Sequence, residues 1–293
     1  MKHLVAAVLA LITLALVPPE ICPADETTSA LRVMSFNIRY GTAQEKKRNW
    51  DQRKQDVAHV IKEFSPDLLG TQETLAFQRD FLSGLLPGYV PFGAGRDDGI
   101  EKGEMAALFW KRDRFEKIDG GHFWLSPTPE KAGSRGWDAA ITRIASWVKL
   151  RDRKHPDGKP ILFVNTHFDH KGNQARIESA KLIRAQIEEI GKGCSIIVTG
   201  DFNASEGSAP YEELFGSTGS PSPLLDAYRL AHPERSPREG TFNGFELEKQ
   251  TGERIDWIAV SSDWKVISSK IDRTAPGGET PSDHFPVTAI LKR

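Results

Sequence analysis

Six segments of this chain share one shape: a short apolar, β-rich run that meets Asp, Glu, Asn or His at one end. Five stop at the polar group. They are Val33-Met34-Ser35-Phe36-Asn37, Leu68-Leu69-Gly70-Thr71-Gln72-Glu73, Phe163 through His167 to His170, Ile196 through Asp201 to Asn203, and Arg254-Ile255-Asp256-Trp257-Ile258. The sixth, Pro281-Ser282-Asp283-His284-Phe285-Pro286, inverts the order and opens a strand. One such ending is an ordinary turn, because Asp and Asn favour turns. Six require a fold in which many strand ends converge on one rim, and in layered α/β folds the binding and catalytic groups gather there.

The spacing between these runs supplies the helices. Trp50, Val57, Val60, Ile61 and Phe64 recur with helical period and Pro66 ends the pattern. Leu75, Phe77, Phe81, Leu82, Leu85 and Leu86 mark a second helix, closed by Pro87-Gly88; Ile177, Ala180, Ile183, Ile187 and Ile190 mark a third. Strands are predicted at Leu31–Ile38, Asp67–Thr71, Ala106–Trp110, Ile141–Leu150, Ile161–Thr166, Ser195–Thr199, Arg254–Val260 and His284–Leu291. No internal repeat or low-complexity linker divides them, so one α/β domain over 25–293 is the simplest organisation.

Residues 1–24 read as a secretory signal peptide. Lys2 and His3 precede an apolar run from Leu4 to Val17, broken by Pro18-Pro19-Glu20, and Cys22-Pro23-Ala24 ends in a small residue. The run is shorter than the ~20 residues of a membrane span, so stable membrane insertion is not expected. Export would place the mature chain in a periplasmic or extracellular setting, as a monomer. Cys194 is then its single thiol, positioned as a small core residue before a strand. Lys and Arg total 39 against 40 Asp and Glu, a formal net charge of −1. That balance gives no global attraction to a polyanion, so a nucleic-acid substrate is allowed but not favoured.

The residue types at the strand ends favour one chemistry. Glu73, Asp201 and Asp283 are hard oxygen donors that suit Mg²⁺, or Mn²⁺. Zinc would call for more His or Cys, and the chain has no His-x-x-x-His pair or Cys pair. His167 and His284 can donate hydrogen bonds to oxygens that gain negative charge, and Asn37 and Asn203 can orient a phosphate or the attacking water. There is no serine elbow, phosphate-binding glycine loop or dinucleotide fingerprint. Metal-assisted attack of water on phosphorus leads.

Ser35-Phe36-Asn37, Gln72-Glu73, Thr166-His167, Gly200-Asp201-Phe202-Asn203, Ile255-Asp256 and Ser282-Asp283-His284, in this order, resemble the endonuclease/exonuclease/phosphatase family. The resemblance implies a four-layer α/β/β/α sandwich with two packed mixed β-sheets flanked by helices. It implies that Glu73 holds the cation and that Asn37 touches the metal's water shell or the phosphate. Asp201 would position or deprotonate the water, with Asn203 orienting it. His284 would bind a non-bridging phosphate oxygen, oriented by Asp256, and Asp283 would support the metal or that histidine. His167 would reach the phosphate from the other side, and Arg143 resembles the family's phosphate-facing arginine. Arg39 departs from the exonuclease III branch, which commonly carries Asp two positions after the Asn.

The substrate is less sharply written. Arg96, Asp97 and Asp98, in a charged glycine-rich loop, either grip a small hydroxyl-rich group or form a solvated turn. Asp138 lies in a similar loop, and Trp124 and Trp137 either offer stacking faces or pack in the core. The expectation is a phosphoesterase acting on a small or sugar-like phosphate ester. The alternatives are a secreted nuclease and a non-catalytic binding protein on the same scaffold.

Overall fold

The computed structural model describes residues 30–44, 48–216 and 224–293. The proposed leader, residues 1–24, lies outside them. No helix among the described residues is long and apolar enough to cross a membrane.

In chain order the elements are β1 (Leu31–Asn37), α1 (Trp50–Phe64), β2 (Leu68–Thr74), α2 (Ala76–Leu85), β3 (Tyr89–Phe92), β4 (Met105–Lys111), β5 (Phe115–Trp124), β6 (Ile144–Asp152), β7 (Ile161–His167), α3 (Asn173–Ile190), β8 (Ser195–Asp201), α4 (Ala209–Phe215), β9 (Leu224–Asp226), α5 (Ala227–Ala231), β10 (Asp256–Ser261), β11 (Lys265–Ile271) and β12 (Val287–Lys292). The strands form two six-stranded sheets, β11-β12-β1-β2-β4-β3 and β5-β6-β7-β8-β10-β9. Each is mixed: β1 runs parallel to β2, β7 runs parallel to β8, and the remaining pairs are antiparallel. This is the expected sandwich, with α1 and α2 on one outer face and α3 and α4 on the other.

The continuous apolar runs follow from burial on both faces of each sheet. Val33, Leu68, Phe163, Ile197 and Ile258 meet between the sheets. Their neighbours turn outward: Met34 and Leu69 pack against Val57 and Ile61 of α1, and Val164 and Val198 against Ile183 and Ile187 of α3. Helix α1 starts where it should, since Asn49 and Gln52 form a reciprocal capping box.

The inner face changes character along each central strand. With a period of two, Val33 is followed on its face by Ser35 and Asn37, Leu68 by Gly70 and Gln72, Phe163 by Asn165 and His167, and Ile197 by Thr199 and Asp201. The middle residues form a buried polar band between the sheets. Gln72 Nε2 donates to Asn165 Oδ1 (2.7 Å) and Ser35 Oγ (3.1 Å), and Thr199 Oγ1 donates to the same Asn165 oxygen (3.0 Å). Asn165 Nδ2 donates to the carbonyls of Thr71 and Ala107, both at 2.9 Å. Gly70 is required here, since a Cβ would lie 2.1 Å from Thr199 Oγ1.

Some sequence expectations shift. The strand predicted from Ile141 starts at Ile144, so Arg143 stands on the preceding loop rather than within a strand. The strand predicted from His284 starts at Val287, after Pro286. Cys194 is half-buried at the margin of the second helix–sheet core rather than inside it.

Candidate active site

His167 and Asp201, the third residues of two of these series, reach a cleft of about 870 Å³ at one end of the sandwich, which is also lined by Glu73, Arg96, Arg143, Asn203, Asp283 and His284. Asp201 sits at its centre. Its Oδ2 accepts from Asn37 Nδ2 (2.9 Å) and lies 3.4 Å from His167 Nε2 and 3.7 Å from His284 Nε2. Its Oδ1 accepts from the Asn203 backbone N–H (3.0 Å). The Asn37 amide also donates to Glu73 Oε1 (3.1 Å), so one side chain joins two carboxylates that are far apart in sequence.

The backbone is bent to make this possible. Among the described residues six non-glycine positions adopt a left-handed conformation, and three of them, Arg39, Glu73 and Asn203, line the cleft. Glu73 (φ 57°) occupies a bulge where the pairing of β2 with β4 slips between Thr71 and Thr74. A strained residue at a bulge re-aims its side chain out of the strand's alternation, and such strain persists where the surroundings enforce it. Here the Tyr40 N–H donates to Glu73 Oε2 at 3.0 Å.

The two histidines are held in opposite states. Nδ1 of His284 bonds Asp256 Oδ2 at 2.9 Å. Burial alone would lower its pKa, but the Asp256 and Asp201 charges outweigh burial and carry it well above the ordinary value. His284 is therefore an imidazolium with Nε2–H turned toward Asp201. Burial, then the nearby Arg143 charge, hold His167 well below the ordinary histidine value. Asn203 Nδ2 donates to the Phe168 carbonyl (3.1 Å) and faces His167 Nε2 (3.0 Å), which selects the neutral Nδ1–H tautomer. Burial and the Asp256 charge push Asp201 up to about 7.

Arg143 is nearly buried. It approaches Asp169 Oδ2 through Nε (3.6 Å) and His170 Nδ1 through Nη2 (3.1 Å), while Nε and Nη1 make no hydrogen bond. A buried guanidinium with unmet donors beside a cleft is prepared for an anion. Arg96 Nη1 and Nη2 each meet one Glu104 oxygen at 2.8 Å in a two-pronged pair. Burial lifts the Glu104 carboxyl above its ordinary value.

The mouth suits a hard cation. Arg39 Nη1 lies 3.7 Å from Glu73 Oε2 and 3.5 Å from Asp283 Oδ2, so a positive charge already bridges these two carboxylates. Glu73 and Asp283 would hold a divalent ion through oxygens, as Mg²⁺ and Ca²⁺ prefer. Ligand atoms of Asp201, Asp256 and His284 also lie within 4.8 Å of one another. Within that trio, Nδ1 of His284 is already engaged by Asp256 Oδ2.

Of the residues named from sequence, Asn37, Glu73, His167, Asp201, Asn203, Asp256, Asp283, His284, Arg143 and Arg96 come together here. Asp97 and Asp98 do not. Asp98 Oδ1 accepts from the Ile100 and Lys102 N–H groups and closes its own turn, and Asp97 is exposed outside the cleft. Asp138 instead caps α3, accepting from the Gln174 and Ala175 N–H groups. Trp124 is buried and donates to the Arg96 carbonyl (2.6 Å), whereas Trp137 is exposed but does not line the cleft.

Sequence reasoning missed the residues that hold the loops. Arg53, 1% exposed on α1, donates to the carbonyls of Arg39 (2.7 Å) and Pro281 (3.2 Å) and also to that of Ile38. It thereby ties the exit of β1 to the loop carrying Asp283 and His284. Gln78, buried on α2, donates to the Arg39 carbonyl (2.9 Å) and accepts from the Gly41 N–H (2.8 Å). Both read as helical surface positions until the loop is seen folded over them.

Comparison with known proteins agrees with this arrangement. The model of the endonuclease/exonuclease/phosphatase family matches residues 34–284. A solved family structure from Bacteroides vulgatus is 38% identical, covering 90% of this chain and 98% of that one with a TM-score of 0.81. The mannosyl-6-phosphatase of Bacteroides thetaiotaomicron is 37% identical, covering 90% and 100%, with a TM-score of 0.82. The human nocturnin catalytic domain shares the fold at 21% identity, covering 90% and 94%, with a TM-score of 0.71. With the ordered motifs assembled around one cleft, and a family match that spans the sandwich, this chain belongs to the endonuclease/exonuclease/phosphatase family and is a phosphoesterase of that family.

Proposed function

We propose that this chain hydrolyses phosphate monoesters of small, sugar-like alcohols with Mg²⁺, or Mn²⁺, as the working ion. One observation carries the reading: the Asp256–His284–Asp201 series and the unmet Arg143 donors face one cleft sized for a small ester. The likeness to a mannosyl-6-phosphatase supports the choice of a sugar phosphate. The near-neutral net charge argues against a polyanion.

The residues divide the work. Arg143 donates to the phosphate oxygens and fixes the ester in the cleft. A divalent ion held by Glu73 and Asp283 would neutralise phosphate charge and favour ionisation of water. Asp201 accepts a proton from the attacking water, helped by a pKa raised toward neutrality. His284 donates through Nε2–H to a non-bridging oxygen as charge grows there, while Asp256 keeps the ring charged and oriented. Asn203 fixes the turn that presents Asp201 and the tautomer of His167.

The N-terminal run supports export of the mature chain to the periplasm or outside the cell. The activity test is a panel of hexose 6-phosphates, diesters, DNA and RNA, each with Mg²⁺, Mn²⁺ or chelator. Phosphate release from monoesters, loss with chelator, and a drop of about 10³-fold in Asp201→Ala and His284→Ala are expected. Full activity in either variant overturns the mechanism. Digestion of DNA or RNA in preference to monoesters would establish the nuclease alternative. No turnover and no carboxylate-dependent metal binding would identify a non-catalytic scaffold.

A further inference from the structure

The strand order separates the two flanks of the cleft. The loop joining β3 to β4 rises from one edge of the first sheet, and the segment before β10 rises toward the opposite edge of the second. Each flank carries a feature that neither the phosphate chemistry nor the core explains.

On the first flank is the Arg96–Glu104 pair. Its backbones are registered by an Arg96 N–H to Glu104 carbonyl bond (3.1 Å), and its side chains are only 13% and 15% exposed. Ion pairs that are mostly buried are weak stabilisers, since desolvation cancels much of the attraction. Each Glu104 oxygen accepts one Arg96 N–H and keeps a further lone pair for a second donor. Both residues line the cleft.

On the second flank is Phe242. Its backbone is fixed by a bridge to His284 and by the flanking Phe285 N–H to Thr241 and Asn243 N–H to Asp283 bonds, both at 2.8 Å. The ring stands 5.1 Å from the His284 ring, centroid to centroid, with the Lys249 ammonium 4.7 Å from its centroid. Yet it is 41% exposed. A rigidly held aromatic ring that fills no core and lines a polar cleft offers a stacking face.

We infer that these flanks form a saccharide subsite for the leaving alcohol, with Glu104 and Arg96 bonding the sugar hydroxyls and Phe242 covering the ring's apolar C–H face. A carboxylate that accepts from hydroxyls, a guanidinium beside it, and an aromatic plate match the chemistry of a pyranose. The inference rests on the monoester reading above and names the part of the substrate that reading leaves open.

Ethyl phosphate and hexose 6-phosphates share a primary-alcohol leaving group, so their relative kcat/KM isolates recognition of the sugar. The wild type, Glu104→Gln, Phe242→Ala and Phe242→Trp are each assayed on mannose, glucose and galactose 6-phosphates and on ethyl phosphate. The wild type is expected to favour a hexose phosphate at least 100-fold. Glu104→Gln and Phe242→Ala should each lower that preference about tenfold, through KM rather than kcat, and Phe242→Trp should restore it. A preference unchanged in both variants, or absent in the wild type, overturns the subsite while leaving the monoesterase standing. Failure of the wild type to release phosphate from any monoester overturns the underlying reading as well. Because Phe242 is half in solvent, its truncation tests the subsite even where Glu104→Gln fails to fold.

Discussion

The two ends of the sandwich carry buried charges arranged on opposite principles. At the end where β1 and β2 begin, Arg114 Nη1 bonds Asp67 Oδ2 (2.7 Å) and its Nη2 bonds Asp152 Oδ2 (2.9 Å). The Arg32 backbone N–H and the Lys111 ammonium complete Asp67, at 2.9 and 3.1 Å. Both carboxylates there face guanidinium or ammonium groups. At the other end Glu73, Asp201, Asp256 and Asp283 crowd one mouth, Asp256 Oδ1 and Arg143 Nη1 lack partners, and three cleft residues have left-handed backbones. The first network serves the fold and is closed. The second is left open, and its unmet groups are those a phosphate and a cation would satisfy.

Breaking the closed network should give the largest effect on stability. Arg114→Met keeps the aliphatic stem but leaves Asp67 and Asp152 buried without their shared partner, a loss of about 3–5 kcal/mol. Urea denaturation should read this, while kcat/KM corrected for the folded fraction stays at the wild-type value. A parallel loss of kcat/KM in the folded protein would show that the two ends are coupled and that the comparison fails.

The same contrast explains what could be read from sequence. The inner strands were legible because burial on both faces makes them continuously apolar. The four strands missed, β3, β5, β9 and β11, are the four sheet edges. There one flank of the strand is unpaired and the pattern breaks: Phe115–Trp124 alternates charges and glycines around a bulge at Lys117, and Lys265–Ile271 alternates exposed and partly buried residues. The carboxylates, asparagines and histidines of the cleft were legible because each sits at one end of an apolar run, either closing it as Asp201 does or opening it as Asp256 does. The partner of Arg96 was not, because Asp97 and Asp98 are nearer in sequence, whereas Glu104 reaches Arg96 only through the pairing across the loop. Arg53 and Phe242 carry no local signal at all, since their roles depend on contacts with residues some 230 and 40 positions away.

Arg53 offers a smaller perturbation that sharpens the contrast, because it is closed-network chemistry placed under the open site. Arg53→Met removes its donors to Ile38, Arg39 and Pro281 and frees the exit of β1 and the loop carrying Asp283 and His284 to drift apart. Groups that orient catalytic or metal-binding residues are worth about 10–100-fold in activity or metal affinity. The expected result is a loss of that size in kcat and in calorimetric Mg²⁺ affinity, with hexose-phosphate KM little changed. A change confined to KM would place Arg53 in substrate binding instead.

The smallest effect comes from stability at the open end. An unfolded aspartate ionises near 3.8, whereas burial and Asp256 push folded Asp201 up to about 7. Between those values the unfolded chain holds fewer protons than the folded one. Ionisation of Asp201 therefore weakens the fold as pH rises from about 4 to about 7, and the penalty persists above that range. Asp201→Asn removes the titrating group while keeping the shape of the side chain. In chelator, its melting temperature should exceed that of the wild type by a few degrees at pH 8, and the two should converge toward pH 4. The variant should also have lost most of its turnover. Higher stability with lower activity, from one side chain, is what an open charge cluster kept for catalysis predicts. A variant that melts below the wild type at pH 8 would mean that the Asn37 and histidine contacts outweigh burial of the charge, and that this end of the sandwich is closed in the same sense as the other.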